Sequence, residues 1–332
     1  MNRVLRSAFK KTATVTPQAS DTPRSATASL SQRKAIAEDT IARMKGVIKQ
    51  HAREGATSSS TFIRDQLEPL DPSKSPNAPS SLIEVINSDA FTIARRLISE
   101  VPEAKGNTAV LNLASDEHPA GGWLFSLSKT QEEALCYAST LYSTLKKSYY
   151  PWPNVGPGSV AGVYSPGVVI FKHDLDNNCR ELEQGERQVV SVLTVAAPRY
   201  RPLSPDRRSF QEPSTLEDLK GKIRLVYRMA AHNGQQYLVL GKQYNPVVTC
   251  GGKLKAYCVR LGAMGCGAYA CPPRLVADQM KSILLEPEFQ GWFQKIIFAV
   301  YDKDGLGSAA YPTNFAIFSD VFRDVKTSGP DQ

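Results

Sequence analysis

Three adjacent side chains, Gln131, Glu132 and Glu133, are the densest chemistry in the sequence. Carboxylates so placed are candidates for general acid–base work. They follow Pro119-Ala120-Gly121-Gly122-Trp123 after a spacer that ends at Thr130. Adjacent glycines allow positive φ and carry no Cβ, so backbone N–H groups there can approach an anion such as a diphosphate. A blander reading exists: Thr130-x-x-Glu133 also fits a capping box, in which the Glu only reaches back to the N-cap N–H.

A second stretch has similar character. Leu261-Gly262-Ala263-Met264-Gly265-Cys266-Gly267-Ala268-Tyr269 places glycines just before Pro272-Pro273 and an apolar-periodic segment running to Leu285. A glycine-rich turn feeding a helix N-terminus can bind phosphate through backbone N–H groups and the helix dipole. Glycines also serve ordinary tight turns. The six cysteines form no CxxC pair and have few neighbouring histidines, which argues against a zinc site. Scattered thiols in a chain of this length fit a reducing compartment.

The elements that must position these loops can be read from periodicity. Thr108 to Ala114 is a short apolar run suited to a buried strand, and from Thr130 apolar residues Leu135, Ala138, Leu141, Tyr142 and Leu145 recur at helical spacing. Further strands are predicted at Gly167–Lys172, Val189–Ala197, Gln236–Leu240 and Lys295–Tyr301. Helices are predicted at Ser31–Gln50, Leu82–Leu97, Thr215–His232 and Asn314–Phe322, with Thr215 and Asp218 starting the third of these. Pro151 to Gly162 is too dense in Pro and Gly for regular structure and reads as a loop near the site. Arg199 is either a phosphate contact or a solvated loop arginine.

With 332 residues, 42% of them hydrophobic, and a mean hydropathy of -0.29, the chain can bury a large core. No apolar run approaches membrane-spanning length. A net charge of +8 suits an anionic ligand, whether nucleic acid, nucleotide or phosphate-rich polymer. Residues 1–32 are rich in Ser, Thr and Ala and strongly basic; they read as a disordered tail or as a mitochondrial presequence. Nucleus, cytoplasm and mitochondrion all remain open.

The first loop resembles the signature of poly(ADP-ribose) glycohydrolases, glycines followed after a spacer by Gln-Glu-Glu. Its surroundings are similar to the microbial and fungal form of that family, matched by Asn112, Ala114, Ser115, Pro119, Gly121, Gly122, Gln131, Glu132, Glu133, Leu135 and Cys136. It departs with Ala120, where the first glycine is usual, and with its spacer. Tyr164-Ser165-Pro166, Ala196-Ala197-Pro198 and the Leu261–Tyr269 loop resemble further landmarks of the family. The resemblance spans roughly residues 33–325, with 326–332 as a tail. It implies an α/β, macrodomain-like three-layer fold, a mixed sheet between helices with an N-terminal helical extension.

By the same resemblance, Glu133 would protonate the leaving hydroxyl and then deprotonate the attacking water. Glu132 would bind ribose hydroxyls and, as a like charge, keep Glu133 protonated. Gln131, Asn112, Ser115, Gly121 and Gly122 would bind substrate. Gly265, Cys266 and Gly267 would hold the diphosphate, and Tyr269 would pack on a ribose or the adenine. The implied reaction is hydrolysis of ribose–ribose bonds in poly(ADP-ribose), free or on a protein, by a monomer with no cofactor, metal or membrane. A macrodomain that binds ADP-ribose without cleaving it, and a mono-ADP-ribosyl-protein hydrolase, are the alternatives.

The family runs its strand directly into the second glycine loop. Here residues 242–262 intervene, with Leu-Gly repeated at both edges as Leu240-Gly241 and Leu261-Gly262. A translated intron or a genuine surface insertion would each leave that pattern.

Overall fold

The structure, a computed structural model, describes residues 28–242, 269–302, 312–327 and 329. The basic N-terminus, nearly all of the segment 242–262, and Gly265, Cys266 and Gly267 lie outside the described residues.

Seven strands form one mixed sheet: β1 (Thr61–Ile63), β2 (Glu84–Ile86), β3 (Thr108–Leu113), β4 (Gly162–Ile170), β5 (Gln188–Val195), β6 (Tyr237–Lys242) and β7 (Lys295–Val300). Their order is β1-β4-β5-β3-β6-β7-β2. The pairs from β5 through β2 are parallel, while β1–β4 and β4–β5 are antiparallel. Among the described residues, six helices cover it: α1 (Leu30–Gln50), α2 (Ala90–Glu100), α3 (Gln131–Ala138), α4 (Pro213–His232), α5 (Pro273–Leu284) and α6 (Asn314–Val321).

Side-chain alternation along β3 sorts the layers. Ala109 and Leu111 join the core formed with α4, α5 and α6, whereas Val110 joins the core formed with α1, α2 and α3. The sheet therefore lies between two helical layers, the three-layer α/β arrangement expected. A central parallel strand buried on both faces must be apolar along its length, and β3 is buried from Thr108 to Asn112. Helix α1 starts at a capping box, Ser29 with Gln32, and lays Ala37, Met44 and Val47 on the core. At the far end, the chain pairs back on the fold, with Thr327 N–H donating to Ser81 O at 2.9 Å.

Three expectations need correction. Leu82–Leu97 is not one helix: β2 ends at Ile86, and Asp89 then caps α2 through the N–H of Thr92. Helix α4 starts at Pro213, not at Thr215, because Pro at N1 has the right φ and needs no donor. Asp218 bonds Gly156 N at 2.8 Å instead of capping the helix. Helix α3 stops at Ala138, well short of Leu145. Ser139 turns extended and bridges Ile170, and Thr140 bonds the backbone of Val169, so the sheet edge captures the chain.

Candidate active site

The site is built where β3 ends and α3 begins. Strand β6 pairs with β3 only as far as Val110, which leaves the later backbone groups of β3 without a partner on that side. Gln131 supplies one. Its Nε2 donates to Leu111 O at 2.6 Å, and its Oε1 accepts from Leu113 N at 2.8 Å. A side-chain amide thus extends the ladder and fixes the first turn of α3 against the strand, placing the next two residues.

Glu132 is 2% exposed. One oxygen accepts from Ser115 N at 2.8 Å, and the other from Asn112 Nδ2 at 3.3 Å. Asn112 itself is fully buried and also donates to Thr194 Oγ1 at 3.2 Å. Glu133 is 4% exposed; its Oε1 accepts from Gly122 N at 2.8 Å, while its Oε2 is buried with no hydrogen-bond partner. Burial holds both carboxyls above the usual carboxylate range, and for Glu132 the neighbouring Glu133 charge adds to it. The hydrogen bond from Gly122 opposes this at Glu133, helped by Ser128.

The capping-box reading of Thr130 and Glu133 does not hold as a reciprocal motif. Thr130 makes no side-chain cap bond, and Glu133 puts its oxygen on Gly122.

The glycine loop fits over the acids with little space between. A Cβ on Gly121 would lie 2.7 Å from Glu133 Oε1 and 3.0 Å from Glu132 Oε2. Gly121 has φ +51°, and Ala120, with φ +60°, adopts the same left-handed region. Ala120 thus reproduces the backbone expected of a glycine, at the strain that a Cβ brings there. Trp123 anchors the loop: fully buried, it meets Tyr137 and Tyr142 edge-on at 5.8 and 5.1 Å between ring centroids. An aromatic directly after two glycines was the visible signal for this anchor.

Ser115 Oγ accepts from the N–H groups of Glu117 and His118 and so shapes the turn after β3. Tyr269 reaches the same strand end, donating its hydroxyl to Ala114 O at 3.2 Å. Arg199 is not a solvated arginine. It pairs with Asp116 at 3.1 Å and Glu117 at 2.7 Å and lies over the Tyr269 ring, tying the two loops together. Sequence reasoning missed Tyr150, whose hydroxyl is buried without a hydrogen-bond partner and whose raised pKa reflects burial first, then Glu132, Cys136 and Tyr269. Only the tertiary fold brings it there. The described cysteines, Cys136, Cys179 and Cys271, are buried and free.

A mixed sheet between helical layers, with a buried acid pair beneath a glycine loop at the end of β3, is an α/β architecture that can carry glycosidase chemistry. Residues 3–173, just over half of the chain, match the family described as microbial-type PARG, catalytic domain, and the chain belongs to that family. The fold is similar to poly(ADP-ribose) glycohydrolase from Thermomonospora curvata, with a TM-score of 0.64, 26% identity, and 88% of this chain and 99% of that one covered. The same enzyme bound to the inhibitor ADP-HPD matches with a TM-score of 0.62 at 27% identity, covering 87% and 99%. Poly(ADP-ribose) glycohydrolase from Deinococcus radiodurans in complex with ADP-ribose matches with a TM-score of 0.54 at 29% identity, covering 73% and 84%. These relatives are bacterial, so they support the microbial form and do not extend to a fungal one. No curated protein matches the chain.

Proposed function

We propose that this glycosidase hydrolyses the ribose–ribose O-glycosidic bonds of poly(ADP-ribose), releasing ADP-ribose, with Glu133 as its general acid and base. The observation that carries the reading is the state of that carboxyl: one oxygen fixed by Gly122 N–H, the other unpartnered, and the proton held above the ordinary range by burial. Such a group can give a proton to the departing ribose oxygen as the C1″–O bond breaks and an oxocarbenium-like centre forms. The resulting carboxylate then takes a proton from the water that attacks C1″, which restores the acid.

In this reading Glu132, held by Ser115 N–H and Asn112 Nδ2, is the carboxyl that meets ribose hydroxyls. Gly121 and Gly122 act on substrate through the acid pair in this reading, since the Gly122 N–H is held by Glu133 Oε1 and the Gly121 N–H by His118 O at 3.1 Å. Gln131, Asn112 and Ser115 act through the acids and the turn they fix. Tyr269 lines the same end of β3, and Gly265, Cys266 and Gly267 stand just before it in the sequence and hold the diphosphate in this reading. Residues 33–325 form the catalytic unit in this reading, and the segment 242–262 is dispensable to it apart from Lys242, which ends β6 and pairs with Val300.

Incubation with labelled polymer tests the reading. Release of free ADP-ribose by the wild type, lost in Glu133→Gln, supports it. ADP-ribose binding without any release would make the protein a non-catalytic reader, and release only from mono-ADP-ribosylated protein would change its substrate.

A further inference from the structure

Gly121 faces two ways. Besides sitting over the acid pair, it lines an open cleft of about 1480 Å³ that reaches across to the Ile41–Ile48 face of α1. The cleft wall is largely apolar, yet it is exposed: Ile41 is 41% exposed and Phe125, in the loop after the glycines, 72%. An aromatic ring left so open beside an active site is a platform for a ligand ring. His118 braces it edge-on, 6.0 Å away.

The rim of the cleft is basic. Lys45 comes from α1, and Lys146 and Lys147 come from the segment after α3. The Lys146 ammonium is held by two backbone carbonyls, Ser58 O and Ser143 O, each at 2.7 Å. Carbonyls orient it without cancelling its charge. The acidic residue on the wall, Glu117, is already paired with Arg199 at 2.7 Å. Three ammonium groups around an aromatic platform match a nucleoside diphosphate, which offers a dianion and a flat base.

Resting on the glycohydrolase reading above, we infer that this cleft binds the ADP-ribose unit on the leaving side of the scissile bond. With the scissile bond at Glu133, beneath Gly121, the departing chain continues outward past Gly121. Among the described residues, the cleft is a space that opens at Gly121. The lysines hold the diphosphate of the leaving unit, and Phe125 takes its adenine. The enzyme therefore reads two consecutive units of the polymer, one on each side of the cleaved bond.

The test separates the two sides. Lys45→Glu/Lys147→Glu, at exposed positions that touch no catalytic group, is compared with wild type on poly(ADP-ribose) and on an aryl ADP-ribose that has no nucleotide on its leaving side. The double variant is expected to lose about 10-fold or more in kcat/KM on polymer at low ionic strength, the gap narrowing as salt rises. Aryl ADP-ribose hydrolysis and calorimetric ADP-ribose binding should stay at wild-type values. Phe125→Ala should weaken polymer cleavage alone, without the salt dependence. Unchanged polymer cleavage in all variants, or equal loss on both substrates, overturns the inference. A wild type that cleaves neither substrate refutes the glycohydrolase reading itself, and this inference with it.

Discussion

Gly121 and Glu133 are packed so closely that no side chain fits between them: a Cβ on Gly121 would stand 2.7 Å from Glu133 Oε1, a distance real Cβ contacts do not show. The glycine is therefore set by the acid as much as by its own φ of +51°. Gly121→Ala must either push the carboxyl off the N–H of Gly122 or tilt the loop. A displacement of about 1 Å at reacting groups can cost on the order of 10²-fold in rate. We expect at least that loss in kcat, with a fall in stability of about 1–2 kcal/mol from the left-handed strain. Steady-state polymer cleavage and urea unfolding measure the two. A fully active Gly121→Ala would show that the loop does not govern the acid.

Glu133→Gln keeps the shape but cannot exchange the proton. Its kcat should fall by about 10²–10⁴-fold, the usual range for a lost general acid or base. ADP-ribose affinity by calorimetry should change little. A rate near wild type in the variant would remove Glu133 from the chemistry.

The pH dependence follows from the raised pKa of Glu133, whose chief cause is burial. The acid form survives above the ordinary carboxylate value and is lost as pH rises through the folded-state pKa. The kcat profile should therefore carry a descending limb set by this group, above about pH 4.3, the ordinary Glu value. Stability has the same sign. Glu132 and Glu133 bind protons more tightly folded than unfolded, so their contribution is fully present below the ordinary Glu value and is lost as pH rises through the folded-state pKa. Melting temperatures taken across this window should drop less steeply in Glu133→Gln than in wild type.

Much of this arrangement was legible in the sequence, and the reasons for the failures are physical. Strand β3 and the start of α3 were visible because β3 is buried on both faces and the Gln-Glu-Glu triplet opens a helical period. The end of α3 was not, because Leu141, Tyr142 and Leu145 keep helical spacing while Ser139 is captured by β4. Spacing records which residues are buried, not which backbone bonds they make. The pairing of Arg199 with Asp116, 83 residues away, and the approach of Tyr150 to Glu132 depend on tertiary closure. Asp218 looked like a helix cap because Asp serves both local and long-range N–H groups, and here Gly156 claims it.

Gln131 distinguishes a structural role from a binding one. Its amide occupies Leu111 O and Leu113 N, two backbone groups that the ladder leaves open. Gln131→Leu should leave both unsatisfied, at about 1–3 kcal/mol for each buried group, and unfold at visibly lower urea. If Gln131 acted chiefly on substrate, the variant would instead keep its stability and lose ADP-ribose affinity.

Ala120 is the residue at which this chain departs from the glycine usual in its family, and two opposed effects meet there. Its φ of +60° costs an alanine about 1–2 kcal/mol relative to glycine. Its methyl group is fully buried against the core, and burial of one such group is worth about 0.8 kcal/mol. Ala120→Gly therefore relieves strain and removes packing in nearly equal measure, and its melting temperature should lie close to that of the wild type. The loop conformation is already the glycine-like one, so polymer cleavage should also persist. Ala120→Val is the informative contrast, because a β-branched side chain tolerates positive φ worst and has no room in a fully buried site. That variant should lose on the order of 3 kcal/mol or more from strain and overpacking together, and with it the seating of Gly121 over Glu133. A stable and active Ala120→Val would mean that the loop can reach the acids by another backbone path.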